Sequence, residues 1–195
     1  MLSPDATLRQ VAAIEAALAV FHPPGDVVEL RALGVQGTRA VCEIHGDMSL
    51  LARRAAELDG LEASGVYFTL NPLRPDLVGA KASARKADVT CRRWLPLDVD
   101  PLRPRDVSSS EAELRAAWTV LDRCRGLLSA FGLASPIVGL SGNGWHLCYP
   151  ILMECTDDSQ AVLKAILQGL HARCGDATTD EERASLAAGT PLDAP

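Results

Sequence analysis

The sequence predicts an α+β chain of two lobes. From Trp94 onward the order is β-α-β-β-α with a candidate last β, the split βαβ, ferredoxin-like order. Three features carry this expectation. WLPLDVD alternates apolar and polar positions as a half-buried strand does. Ser110 and Glu113 form an S-x-x-E capping box that opens an amphipathic helix. Ser141-Gly142-Asn143-Gly144 then separates PIVGL from WHLCYPI, and an Asn-Gly pair between strand-like runs is a strong hairpin signal.

Taken in order, residues 5–21 place Val11, Ile14, Leu18 and Phe21 on one helical stripe, and His22-Pro23-Pro24-Gly25 stops it. DVVELRALGV and TRAVCEIHG read as two strands broken by a turn from Gly34 to Gly37. A helix is predicted from Met48 to Leu58, ended by Gly60, and GVYFTLN is a short strand running into Pro72 and Pro75. Residues 72–93 are polar and without periodicity, so they are expected to be a hinge between lobes of about 1–75 and 94–195, with a basic connector at 76–93. In the second half, Leu114, Ala117, Trp118, Leu121 and Leu128 share one side of a helix closed by Gly132. Asp157 is the expected cap of a last helix with Val162, Ile166 and Leu170 inward and Gly175 as its stop. Pro191-Leu192-Asp193 begins the candidate last strand, cut short by the end of the chain.

Composition narrows the class. The 195 residues are 48% hydrophobic and 23% charged, enough apolar matter for a substantial core and too much for a disordered chain. No apolar run approaches the ~20 residues that cross a bilayer, and the first residues lack the layout of a secretory signal, so a soluble, cytoplasmic protein with no membrane partner is expected. Six cysteines without CxxC pairs read as free thiols. With 25 acidic against 19 basic side chains the formal charge is −6, which argues against a general nucleic-acid binder.

The chemistry gathers in the second half. Asp98 and Asp100, two apart at a strand end, point the same way while Leu97 and Val99 face the core. Carboxylates that close repel unless a cation lies between them, and paired hard oxygens suit Mg²⁺ or Mn²⁺ with substrate phosphates completing the shell. Ser141, Gly142, Asn143 and Gly144 offer small side chains and open N–H groups, the material of an anion-binding nest, with His146 at its rim. Taken singly, Asp98-x-Asp100 also fits a solvated acidic turn and His146 a hairpin flank. The ferredoxin-like strand order 4-1-3-2 changes that weighting, because it brings Asp98, Asp100, the 141–146 turn and Asp193 to one edge of the sheet.

These motifs resemble the catalytic core of the archaeo-eukaryotic primase superfamily, in particular the bifunctional primase-polymerase (Prim-Pol) domains of phage and plasmid replication proteins. The matching stretches are WLPLDVDPLRP, SGNGWHL and PLD in the second half, with PPGDVVELRAL and GVYFTLNPLRP in the first. The resemblance implies a two-lobed primase-polymerase fold with an RRM/ferredoxin-like C-terminal lobe and template-directed nucleotidyl transfer from nucleoside triphosphates. It implies two divalent ions (Mg²⁺ or Mn²⁺) held by Asp98, Asp100 and Asp193, with Asp176 as a substitute third acid, and triphosphate contacts from Ser141 and His146. Asn71 matches a position the family often keeps polar and fits either a further nucleotide contact or a cap of the turn before Pro72. The implied partners are a single-stranded DNA template, nucleoside triphosphates and a helicase domain or protein.

A polymerase must hold a polyanion, and the charge is uneven. Residues 72–105 hold eight basic side chains (Arg74, Lys81, Arg85, Lys86, Arg92, Arg93, Arg103 and Arg105) against four acidic ones, a local stripe able to meet phosphates or simply a solvated loop. Trp118 fits the core better than a base-stacking platform, while Tyr67 and Tyr149 fit either. His171-x-x-Cys174 with Cys148 and Cys155 lacks zinc spacing. Two other readings stand beside the polymerase: a degenerate primase fold acting as a DNA-binding or replisome module, and a glycosyltransferase that uses the D-x-D pair on a nucleotide-sugar diphosphate.

Overall fold

A computed structural model describes residues 4–104, 107–175 and 179–180. The chain is α+β and divides into two compact units at the Cys91–Arg92 bond.

In the first unit, helix α1 (Pro4–Phe21) and helix α2 (Met48–Asp59) cover one face of an antiparallel sheet of order β2-β1-β3, formed by β1 (Val28–Leu33), β2 (Ala40–His45) and β3 (Gly65–Phe68). Leu18, Leu30, Ala32, Leu51, Ala55 and Leu58 form the core, with the expected Val11 and Ile14 packed against it. Each such fully buried leucine contributes about 1.5–3 kcal/mol. Asp47 caps α2 by accepting from Ser49 N and Leu50 N. The first helix ends on a buried histidine. His22 Nδ1 lies 3.1 Å from Asp26 Oδ2 and Nε2 lies 2.9 Å from the Thr69 carbonyl, which fastens the helix end to the end of β3.

The stretch expected to be a connector is folded into this unit. Gly79 N–H donates to Ile44 O (2.8 Å) and Ile44 N–H to Ala80 O (3.1 Å), so residues 79–80 line the outer edge of β2. Leu73 bridges Val89, and Val27, Ile44, Leu73 and Ala84 form a small second core with Leu77, Ala80 and Val89. Its apolar residues are spaced irregularly, so no helical or strand period reveals them in sequence.

In the second unit, β4 (Arg92–Pro101), β5 (Ile137–Leu140), β6 (Trp145–Met153) and β7 (Thr179–Asp180) form an antiparallel sheet of order β5-β6-β4-β7. Helices α3 (Glu111–Ala130) and α4 (Asp157–Cys174) contribute to the core of this unit. In order of appearance the strands lie 4-1-3-2, as expected of the split βαβ arrangement. The fourth place is held by Thr179–Asp180; the expected strand at 191–193 lies outside the described residues. Leu95, Leu97, Val99, Leu147 and Tyr149 face Ala117, Leu121, Leu128, Leu163, Leu167 and Leu170, so Tyr149 is a core residue. Trp118 packs edge-to-face on Trp145, with centroids 4.8 Å apart.

The capping box at Ser110 and Glu113 forms as predicted. Two details of α4 differ. Thr156, not Asp157, is the cap, since its hydroxyl accepts from Ser159 N. Leu170 is buried and Ile166 packs against the core as expected, joined by Leu163, Leu167 and Cys174, whereas Val162 is half-exposed and Leu163 takes its inward place. Both shifts are one residue, the error expected when several apolar residues adjoin the stripe.

Candidate functional site

β4 is buried at Leu95, Leu97, Val99 and Pro101 and only partly at Trp94, Pro96, Asp98 and Asp100, a clean alternation from Trp94 to Pro101 that follows an irregularity between Arg92 and Trp94. The two carboxylates therefore stand on the sheet face opposite the helices. On β6, Leu147 and Tyr149 point into the core, which sends His146 and Cys148 to the carboxylate face. The β4–β6 register sets Asp98 directly opposite His146, with Nε2 3.0 Å from Asp98 Oδ1. The hydrogen bond to Asp98 and the charges of Asp98 and Asp100 raise the imidazole pKa above its ordinary value against the opposing effect of burial. Burial, helped by the Asp98 charge, pushes the Cys148 thiol up to about 11.

Asp100 is fixed by a glycine. A Cβ on Gly144 would overlap Asp100 Oδ1 and come within 2.7 Å of the Val99 carbonyl oxygen, so the hairpin closes against β4 only without a side chain there. The turn has the expected extent, Ser141 to Gly144. Leu140 pairs with Trp145, four residues connect them, and the left-handed residue is Gly142 (φ +94°). Ser141 closes this turn internally. Its Oγ accepts from Gly144 N–H (2.9 Å) and donates to Gly144 O (3.1 Å), and its N–H donates to Gly144 O (3.0 Å). Asn143 ties the turn to the start of α3, its Oδ1 accepting from Ser109 N–H (3.2 Å) and its carbonyl from Ser109 Oγ (2.6 Å). The N–H of Gly144 is thus engaged within the turn, which narrows the anion-binding part of the expected nest.

The other predicted residues are dispersed. Asn71 is buried (3% exposed) in the first unit. Arg74 is paired with Asp88 (3.2 Å) and Asp76 (3.6 Å), while Lys81, Arg85 and Lys86 are exposed. Arg92 is 1% exposed: the strand begins two residues earlier than expected and draws it inside, which removes it from any nucleic-acid surface. Arg93 is partly buried, and Arg103 donates to the Val107 carbonyl (2.8 Å). Asp193, Asp176 and Arg105 lie outside the described residues.

Two features escape the sequence reading. Gly139 on β5 lies opposite His146, so no side chain on β5 crowds the imidazole. On the other flank, the register of β7 sets Asp180 opposite Asp100. A glycine inside a four-residue strand is a visible signal; the acid in a two-residue strand is not. Among the described residues, no group of three or more His, Cys, Asp or Glu side chains is gathered closely enough to hold a metal ion, and no helix is long and apolar enough to cross a membrane. The pair Asp98 and Asp100 supplies hard oxygen donors suited to a divalent ion that also draws on its substrate for ligands. No family model, curated protein or solved structure matches this chain.

Proposed function

We propose that the protein is a template-directed nucleotidyl transferase, a DNA primase-polymerase of the archaeo-eukaryotic primase type. The observation that carries the reading is the cross-strand pair Asp98–His146 with Asp100 next on the same face, locked against the glycine turn. An acid pair and an imidazole side by side suit a ligand that brings both divalent ions and negative oxygens, which is what a metal–nucleoside triphosphate is.

Asp98 and Asp100 would hold Mg²⁺ or Mn²⁺. The resemblance gives the third acid to Asp193, and Asp180, whose register position is opposite Asp100, is the other candidate. When bound, such ions neutralise charge on the attacking and leaving oxygens of an in-line displacement. The chain's own residues do the positioning. His146 keeps Nε2 on Asp98, which leaves Nδ1 as the ring nitrogen that would meet a triphosphate oxygen. The Ser141–Gly144 turn, anchored by Ser109, sets the height of the rim beside it.

The test is primer extension and de novo primer synthesis on single-stranded DNA with labelled nucleotides and Mn²⁺. Asp98→Ala and Asp100→Ala should abolish incorporation while the fold, followed by circular dichroism, survives. Normal incorporation by either variant overturns the reading. Asp180→Ala and Asp193→Ala then assign the third acid, since only the true one should match the loss at Asp98.

A further inference from the structure

The face of the first unit's sheet turned away from α1 and α2 has a covered and an uncovered part. Leu30 and Ala32 face the helices, paired with Phe68 and Val66, so alternation puts Glu29, Arg31 and Tyr67 on the other side. The chain after Gly79 crosses one end of that side. Ala84 N–H donates to Glu29 Oε2 (2.8 Å), and the Arg31 guanidinium, itself held by Glu29 Oε1 (2.9 Å), donates to Ser83 Oγ. Beyond this crossing, register aligns Cys42, Arg31 and Tyr67 in one row.

Tyr67 is 44% exposed, and its ring is laid along its own strand. A Cβ on Gly65, two residues back on the same face, would come within 2.5 Å of the Tyr67 hydroxyl, 2.6 Å of Cε2 and 2.7 Å of Cζ. The ring therefore lies back over the bare backbone of Gly65 instead of standing free in solvent. Beside it, the crossing segment carries positive charge. Arg74 is paired with Asp76 and Asp88, and the exposed Lys81, Arg85 and Lys86 supply the rest. Glu29 and Arg31, fastened to residues 83 and 84, hold that charge next to the aromatic row.

We propose that this face binds single-stranded DNA, with Tyr67 stacking on one unpaired base and Lys81, Arg85 and Lys86 meeting the phosphates. An exposed ring next to a basic strip is the combination that binds single strands without reading sequence, and a duplex hides the base faces such a ring needs. The identification of the strand as a template rests on the function proposed above; the binding itself does not.

Fluorescence anisotropy of labelled oligothymidine with the full chain tests it. Tyr67→Ala should weaken binding about tenfold and Tyr67→Phe should not. An oligonucleotide of abasic sites should bind the wild type about tenfold more weakly than oligothymidine and should bind Tyr67→Ala no worse than it binds the wild type. Replacing Lys81, Arg85 and Lys86 by alanine should weaken intact and abasic strands alike. If Tyr67→Ala holds oligothymidine as tightly as the wild type, or if the wild type does not distinguish abasic from intact strands, the proposal is wrong. The two proposals fail separately: a wild type that incorporates no nucleotide but shows the Tyr67 pattern sinks the transferase alone, and normal incorporation with binding indifferent to Tyr67 sinks this one alone.

Discussion

Asp98 and His146 face each other across neighbouring strands, Oδ1 3.0 Å from Nε2, with Asp100 adding its charge to the same imidazole. Because the folded-state pKa of His146 is raised, the pair adds stability below the ordinary histidine value of about 6.5, and that stability is lost as pH rises through the raised value. Asp98→Asn should therefore cost stability at mildly acidic pH, above the carboxylate range, and little in alkaline solution. Urea unfolding at several pH values, with an NMR titration of His146 in metal-free protein, checks both; a His146 pKa unmoved by Asp98→Asn would deny the interaction.

Glycines 139, 142 and 144 should respond differently to alanine. At Gly144 the new methyl meets Asp100 and the Val99 carbonyl, so a loss of about 1–3 kcal/mol and weakened Mn²⁺ binding are expected. Gly142→Ala should cost about 1 kcal/mol through its positive φ alone, with open space around it. Gly139→Ala should be neutral or stabilising by up to about 1 kcal/mol, since its Cβ would make only ordinary contact with His146 Cβ at 3.8 Å. Denaturant titration of the three variants ranks them.

Arg92 and the exposed basic residues should separate stability from binding. Arg92→Ala should lower the melting temperature, because it empties a buried site, and should leave the salt slope of DNA binding unchanged. Lys81→Ala and Arg85→Ala should leave stability within about 0.5 kcal/mol and each reduce that slope by roughly one.

Cys148 should react more slowly with iodoacetamide than Cys91 at neutral pH, since burial and the Asp98 carboxylate keep it a thiol, whereas Cys91 is partly exposed. Mass spectrometry of a timed reaction gives the order. Asp98→Ala should move Cys148 reactivity upward by removing the nearby charge.

The strand order of the second unit was legible because its signals are local: an alternating strand, a capping box and a glycine turn each declare themselves within a few residues. From that order the meeting of Asp98, Asp100 and His146 follows by alternation alone. The partner of Asp100 did not follow, since a two-residue strand such as Thr179–Asp180 has no period to detect. The four-residue turn itself was legible, but the division of labour between its glycines was not: Gly144 is needed for the approach of Asp100 and not for the bend, which Gly142 makes. In the first unit, residues 72–91 looked like a linker because their apolar side chains, Leu73, Leu77, Ala80, Ala84 and Val89, follow the contours of a core that only the fold defines.

That last segment also sets where the first unit can be cut. Ending a fragment at Pro75 would strip residues 79–80 from the rim of β2, leaving the Ile44 amide and carbonyl unpaired beside a newly wetted Val27. An unguarded strand border of that kind recruits other copies of itself. A fragment carried through to Cys91 keeps its own border sealed, so it should stay dispersed at concentrations where the shorter one precipitates.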